Sequence, residues 1–131
     1  MTEAQIMIVE DEALVALGLQ HELIGLGYGV PAVVASGEEA VRKAGELRLD
    51  LVLMDVRLRG EMDGIEAAEQ IYARFGIPVV YLSALPDSAT RPQSESMHSF
   101  DHVSKPVSKA QLHSAIETAL REHEVEKKGS R

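Results

Sequence analysis

Acidic residues follow two apolar runs of the sequence. Glu10 and Asp11 come directly after Ile6–Val9, and Asp55 comes directly after Leu51–Met54. Grouped carboxylates repel one another, and a hard divalent cation such as Mg²⁺ relieves that repulsion by binding their oxygens. An ionised aspartate beside the cation can also act as a nucleophile towards phosphorus. The three acids therefore indicate a metal site with phosphoryl chemistry, provided that the fold brings them together.

A hydroxyl group and an ammonium group follow two further apolar runs. Ser83 comes directly after Pro78–Leu82, and Lys105, followed by Pro106, comes after His102–Ser104. Both groups suit phosphate oxygens, whose negative charge must be stabilised during phosphoryl transfer. Taken singly, the acids and the serine also fit helix caps or turns, and the lysine fits a solvated surface charge. Only their joint occurrence after successive strands points to a phosphate site.

The elements that must position these residues alternate between strand and helix. This alternation predicts right-handed crossovers and a parallel α/β sheet with helices on both faces. Ligands bind such sheets at the carboxyl ends of the strands, where the candidate residues fall. The segment Leu85–Phe100 predicts at most a short helix. The predicted strands are Ile6–Val9, Val30–Ala35, Leu51–Met54, Pro78–Leu82 and His102–Ser104, and the predicted helices are Ala13–Leu26, Glu38–Leu47, Ile65–Phe75 and Lys109–Glu124.

Local patterns add detail to three of these elements. Pro31 indicates that the second strand lies at a sheet edge. Ser36 is expected to cap the second helix, with Glu39 completing a capping box. In the first helix, apolar side chains recur at roughly helical spacing, which predicts a core-facing side made of Leu14, Leu17, Leu23 or Ile24, and Leu26.

The composition is that of one globular domain. The chain has 131 residues, of which 45% are hydrophobic, and a formal net charge of −8. This charge opposes direct nucleic-acid binding by the domain, which needs clustered positive charge. The absence of cysteine excludes thiolate metal sites, disulfides and thiol nucleophiles. We find neither a signal peptide nor the ~18 apolar residues of a membrane span, so we expect a cytoplasmic protein without membrane contact.

Four segments, in this order, resemble the receiver domain of bacterial and archaeal two-component response regulators. They are IMIVEDE, LVLMDVRL, PVVYLSA and VSKP. The separations are also similar to those of the family: 44 residues from Asp11 to Asp55, 28 from there to Ser83 and 22 more to Lys105. The resemblance covers residues 4–123 and leaves 124–131 as a charged tail or linker. It implies a flavodoxin-like (βα)5 fold, with a doubly wound five-stranded parallel sheet in the order 2-1-3-4-5.

The resemblance also implies a metal site. Asp55 would be the phosphoacceptor and a metal ligand, and Asp11 would bind Mg²⁺ directly. Glu10 would hold metal-bound waters, and the backbone carbonyl of Arg57 would complete the site. Mn²⁺ is expected to substitute for Mg²⁺.

The remaining implied residues concern the phosphoryl group and its consequences. Ser83 and Lys105 would contact the phosphoryl oxygens, and Lys105–Pro106 would be a cis peptide. Ser83 would also act in the conformational switch. The family often has an aromatic residue three positions before the lysine, where this chain has His102. His102 is therefore the candidate for the second switch residue.

The function that the resemblance implies is a phospho-accepting signalling switch. A histidine kinase or phosphotransfer protein would donate to Asp55, and a downstream output protein or domain would bind the altered surface. Such a chain is a regulator that catalyses only its own phosphorylation and dephosphorylation. We expect no direct nucleic-acid binding, and a monomer or weak dimer.

Two alternatives from other classes share parts of this pattern. Haloacid-dehalogenase-type phosphatases also use an aspartate nucleophile, Mg²⁺, a hydroxyl and a lysine, but they need a second aspartate where this chain has Arg57. A flavodoxin-like cofactor binder would need a phosphate-binding loop after the first strand. Glu10, Asp11 and Glu12 would repel a phosphate there.

Overall fold

The computed structural model describes residues 3–58, 60–83, 101–104 and 108–129. Within these residues five strands and four helices follow one another along the chain. The strands are β1 (Gln5–Val9), β2 (Gly29–Val34), β3 (Leu51–Asp55), β4 (Val79–Ser83) and β5 (Asp101–Ser104), and the helices are α1 (Ala13–Gly25), α2 (Gly37–Glu46), α3 (Gly64–Phe75) and α4 (Lys109–Gly129). The short helix predicted within Leu85–Phe100 and the predicted cis peptide Lys105–Pro106 lie outside the described residues.

The five strands form one parallel sheet in the order β2-β1-β3-β4-β5, as predicted. β2, which contains Pro31, is an edge strand. The register aligns the carboxyl ends of the central strands, because Val9 pairs with both Val34 and Met54, and Asp55 pairs with Leu82. The residues that follow β1 and β3 therefore meet at one edge of the sheet.

Alternate residues of β1 to β4 pack into two separate cores, one on each face of the sheet. On β1, Met7 and Val9 face the core that includes α2 and α3. Ile6 and Ile8 face the core that includes α1 and α4. With helices on both faces, the central strands are buried throughout, which explains why their sequences are apolar runs without alternation.

α1 buries a different side from the one that the sequence predicts. Leu14 and Leu17 are 83% and 62% exposed, and Ile24 is also exposed, so their predicted place in the core is wrong. Apolar residues lie all around this helix, and spacing alone could not identify the buried side. The residues of α1 that reach the core are Ala16, Leu19 and Leu23.

Side-chain caps fix the beginnings of α2 and α3 at the edge of the sheet where the acids lie. The N–H of Glu39 donates to Oγ of Ser36 (3.2 Å), which confirms the predicted cap, and α2 begins one residue earlier than predicted. The N–H of Glu66 donates to Oδ1 of Asp63 (2.9 Å). These caps hold the two helices in place over the ends of β2 and β3. In the described part of the chain, no helix is long and apolar enough to cross a membrane.

Candidate functional site

Three carboxylates meet at the carboxyl edge of the sheet. Glu10 and Asp11 follow β1, and Asp55 is the last residue of β3. One oxygen of each lies within 4.8 Å of the others, and no comparable group of three occurs elsewhere in the described residues. Glu10 is 3% and Asp55 is 5% exposed, whereas Asp11 is partly exposed. The fold thus brings together the acids that the sequence predicts to share a metal site.

Backbone hydrogen bonds hold Glu10 at the beginning of α1. Its N–H donates to the carbonyl of Val34 (3.0 Å), which extends the pairing of β1 with β2 by one residue. Its Oε2 accepts from the N–H of Glu12 (3.2 Å), the residue that precedes α1. The carboxylate therefore has a fixed position, set by both the sheet and the helix.

Asp55 is held in a similar way from the other central strand. The N–H of Val56 donates to the carbonyl of Leu82 (3.1 Å), so the pairing with β4 continues past Asp55. Oδ1 of Asp55 accepts from the N–H of Arg57 (3.1 Å). This bond forms a side-chain turn, which is the structural role that the sequence also allowed. It places the backbone of Arg57 next to the carboxylate, so the structural and chemical roles of Asp55 are compatible.

Two further acids lie near a buried tyrosine of β4. Tyr81, on β4, is buried, and burial raises the pKa of its phenol, with the negative charges of Glu69 and Asp63 adding to the effect. Both of these acids lie at or near α3.

The donor set suits Mg²⁺. All three side chains offer carboxylate oxygens, which are the hard ligands that Mg²⁺ prefers, and it commonly uses one or two carboxylates with waters. Glu10 and Asp55 are nearly inaccessible to solvent, so water alone cannot screen their mutual repulsion. A divalent ion would offset it.

A groove next to the acids was not predicted from the sequence. It is a cavity of about 350 Å³ between α1 and the end of β2. Its lining is mixed: the polar residues are Glu10, Asp11, Gln20 and Glu39, and the apolar ones are Leu17, Val33, Val34 and three alanines. Leu17 and Val33 are large apolar side chains with substantial exposure. Only the exposure of α1 in the fold reveals this groove.

The other predicted site residues lie on β4, β5 and the chain beyond. Ser83 ends β4 and pairs with Ser104 of β5, and Tyr81 pairs with His102. These backbone positions bring the two predicted switch residues to adjacent strands. Lys105 lies outside the described residues. The roles of these residues remain predictions.

Comparison with known proteins identifies the family. Residues 6–117 match the family described as response regulator receiver domain. A curated relative, the phyllosphere-induced regulator PhyR of Methylorubrum extorquens, is 32% identical over 120 residues, covering 88% of this chain and 43% of the relative. The chain spans about half the length of the curated relatives that it matches.

Solved structures are similar over nearly the whole chain. The signal receiver domain of a modulated diguanylate cyclase from Desulfovibrio desulfuricans is 36% identical, with a TM-score of 0.87, covering 95% of this chain and 98% of that one. The receiver domain of a sensor histidine kinase from Pseudomonas aeruginosa is 30% identical, with a TM-score of 0.77, covering 91% and 98%. It has a magnesium ion coordinated in its active-site cleft. Neither the phosphatase nor the flavin-binding alternative gains support from these proteins.

Proposed function

The chain belongs to the response regulator receiver domain family, and from that premise we propose that it is a phospho-accepting switch with Asp55 as the acceptor. The observation that carries this proposal is the group of three carboxylates, with Asp55 buried at the end of a central strand. A carboxylate that served only as a turn residue would not need two further acids within 4.8 Å.

The step itself is a transfer between two side chains. An oxygen of Asp55 bonds to the phosphorus of a phosphohistidine on the donor while the bond between phosphorus and nitrogen breaks. The bonding electrons go to the histidine nitrogen, which takes up a proton from solvent. The bond from the Val56 N–H to the Leu82 carbonyl holds the end of β3, and the bond from the Arg57 N–H holds the attacking carboxylate, so little reorganisation is needed.

Bound Mg²⁺ would supply charge neutralisation for the acids and for the phosphoryl oxygens. In this proposal Asp11 and Asp55 hold it directly, Glu10 holds its waters and the carbonyl of Arg57 completes the set. The Arg57 N–H bond to Asp55 supports this assignment, because it keeps the Arg57 backbone beside the carboxylate. Mn²⁺ would bind the same oxygen ligands.

Residues on β4 and after β5 would stabilise phosphorylated Asp55 and transmit the resulting conformational change to β5. Ser83 and Lys105 donate to the phosphoryl oxygens. Movement of Ser83 towards the phosphoryl group would pull on β5, where His102 lies beside Tyr81 in the register. The adjacency of these two strands supports Ser83 and His102 as the switch residues.

The partners follow from this chemistry. A histidine kinase or phosphotransfer protein supplies the phosphoryl group in the cytoplasm, and the groove of Leu17 and Val33 offers the donor an apolar contact next to the acids. A separate output protein or domain binds the modified surface, so the receiver (residues 4–123) regulates without an activity towards other substrates. The structure extends α4 to Gly129, beyond the predicted end at Glu124, so residues 124–131 act as a linker that is helical as far as Gly129.

Mass spectrometry of the intact protein tests this function. After incubation with acetyl phosphate, we expect the addition of one phosphoryl group in Mg²⁺ and none in EDTA. Asp11→Ala should slow the addition, and Lys105→Ala should destabilise the adduct while leaving Mg²⁺ binding nearly intact. Addition that does not depend on a divalent ion, or sustained turnover of a phosphomonoester, would contradict the proposal.

A further inference from the structure

The loop between β3 and α3 approaches the backbone of Asp55 very closely. Gly64, the first residue of α3, is buried, and its N–H donates to the carbonyl of Val56 (3.2 Å). A Cβ at Gly64 would overlap the carbonyl oxygen of Asp55 and would lie 3.0 Å from Cα of Val56. Both are backbone atoms, so no side chain could rotate away to make room. Any other residue at this position must displace the Asp55–Val56 peptide or the beginning of α3.

A second glycine closely approaches the same loop. Gly37, the first residue of α2, is also buried. A Cβ there would lie 2.9 Å from the carbonyl oxygen of Met62, which is in the loop, and 3.2 Å from Cβ of Ala67 in α3. Neither Gly37 nor Gly64 has a positive φ, so the requirement is for space and not for an unusual backbone conformation.

The loop between β3 and α3, which Gly64 and Gly37 both approach, carries the backbone atoms that would complete the metal site. It begins at Val56 and includes Arg57, whose N–H is bonded to Asp55. The contact of Gly64 is with the carbonyl of Asp55 itself, on the residue that offers a carboxylate to the acid group. The distance between the loop and the carboxyl edge of the sheet therefore sets the position of the Arg57 backbone relative to the three carboxylates.

We propose that Gly64 and Gly37 are positioning residues for the metal site. Because neither has a side chain, the loop can lie close enough to the carboxyl edge of the sheet for the Arg57 backbone to take part in Mg²⁺ coordination. This inference rests on the proposed function, since it assigns no ligand beyond those named there. Residues that orient metal ligands without touching the metal typically change metal affinity by about 10–100-fold when altered. The tighter contact of Gly64 should have the larger effect.

The test is the Mg²⁺ affinity of the full chain, measured by isothermal titration calorimetry. Gly64→Ala should weaken binding by about tenfold or more, and Gly37→Ala by about threefold, because its contact is less close. Urea unfolding in EDTA reports separately whether each variant is folded without metal. Amide resonances of Val56 and Arg57 in metal-free protein should shift in Gly64→Ala, as a displaced loop requires.

Two other glycines in helices provide matched controls. Gly45, in α2, would place a Cβ 2.9 Å from the far end of the Phe75 ring in α3. Gly45→Ala therefore disturbs the packing of the same two helices without touching the loop. Gly18, in α1, would have no atom within 4 Å of an added Cβ. Both variants should bind Mg²⁺ within about twofold of the parent, even if Gly45→Ala is less stable.

The outcomes separate a positioning role from a structural one. Folded Gly64→Ala that binds Mg²⁺ as tightly as the parent would overturn the inference. So would Gly45→Ala weakening Mg²⁺ binding as much as Gly64→Ala does. If Gly64→Ala does not fold, Gly37→Ala decides by the same criteria. Failure of the parent chain to bind Mg²⁺ would instead show that the proposed function is wrong, and this inference with it.

Discussion

Asp55 makes the hydrogen bond that is typical of an aspartate in a turn. It also belongs to a group of three carboxylates, and a turn does not require such a group. Its Oδ1 accepts from the N–H of Arg57, and an asparagine could make the same bond. Its negative charge, by contrast, is costly beside Glu10 and Asp11, because the group is largely buried. The charge therefore needs a chemical explanation, and the hydrogen bond does not.

The first prediction separates the charge of Asp55 from its hydrogen bond. Asp55→Asn keeps an acceptor for Arg57 and removes one of three like charges, so in EDTA it should raise the free energy of unfolding by on the order of 1 kcal/mol. In the parent, Mg²⁺ at 100 times its dissociation constant should add about 2.7 kcal/mol, and most of this gain should vanish in the variant. Urea unfolding in EDTA and in Mg²⁺ measures both effects. Equal stabilisation of parent and variant by Mg²⁺ would contradict the assignment of Asp55 as a ligand.

The residues with chemical groups could be found from the sequence, and those that act by lacking a side chain could not. Glu10, Asp11 and Asp55 were identifiable because each follows an apolar run and parallel strands end at one edge. Gly64 has no such signal. In the sequence it is one of several residues that interrupt a helical pattern, and only the folded structure shows how close it lies to the Asp55 carbonyl.

The helix α1 places apolar side chains on both of its sides. Ala16, Leu19 and Leu23 fill the core, while Leu14, Leu17 and Ile24 face solvent. Hydrophobic spacing identifies a buried side only when the other side is polar, and in ALVALGLQHELIG it is not. The edge position of β2, in contrast, was predictable, because Pro31 cannot donate a hydrogen bond within a sheet.

The second prediction concerns the groove between α1 and β2. Leu17→Gln should slow phosphoryl transfer from a protein donor about tenfold, through the loss of an apolar contact, and should leave transfer from acetyl phosphate unchanged. Ile24→Gln is the matched control, because Ile24 is an exposed apolar residue of the same helix that does not line the groove. Rates with both donors are measured for each variant. Equal slowing with both donors would show that Leu17 affects the site itself and not donor docking.

The third prediction concerns the link between α4 and the turn before β2. The hydroxyl of Tyr28 donates to Oε2 of Glu117 (2.6 Å), and burial followed by this bond raises the pKa of the phenol above its ordinary value of 10.0. The folded state therefore holds the proton more tightly, so its contribution to stability is complete below pH 10 and falls as the pH rises above it. Tyr28→Phe should cost about 1–2 kcal/mol at pH 7 and should lessen the loss of stability at high pH.

Urea unfolding at pH 7 and pH 10.5 tests this link. Tyr28→Phe should still lose some unfolding free energy at high pH, because the pKa of Tyr81 is also raised by burial. A variant as stable as the parent at pH 7 would show that the bond between Tyr28 and Glu117 contributes nothing measurable.

The molecule carries a strong net negative charge, and few large apolar side chains are exposed in the part that the structure describes. Its formal net charge is −8. In the described residues, the large hydrophobic side chains with substantial exposure lie on α1 and β2: Leu14, Leu17, Ile24 and Val33. Like charge opposes self-association, and this apolar area is small beside the surface that a stable dimer buries.

The fourth prediction follows from that balance. The unphosphorylated protein should be a monomer or a weak dimer at micromolar concentration. Multi-angle light scattering during size-exclusion chromatography measures the mass, and added salt should increase any association by screening the net charge. A tight dimer at low salt would contradict this expectation and would indicate an interface that the described residues do not reveal.

The architecture was predictable in advance because one rule governs it. Alternating strands and helices with apolar strands permit only a parallel sheet covered on both faces, and the order β2-β1-β3-β4-β5 follows the family resemblance. The two cores confirm this arrangement, since the residues of β1 to β4 alternate between them. The sequence alone did not determine which side of α1 is buried.

The most direct measurement of whether Asp55 is the acceptor is reductive trapping after phosphorylation. Borohydride converts an aspartyl phosphate into homoserine, and peptide mass spectrometry then locates the changed residue. With acetyl phosphate and Mg²⁺, homoserine should appear at position 55 and at no other aspartate, and it should be absent in EDTA. Trapping at Asp11 or Asp63, or equal modification of an Asp55→Asn variant elsewhere in the chain, would show that Asp55 is not the phosphoacceptor.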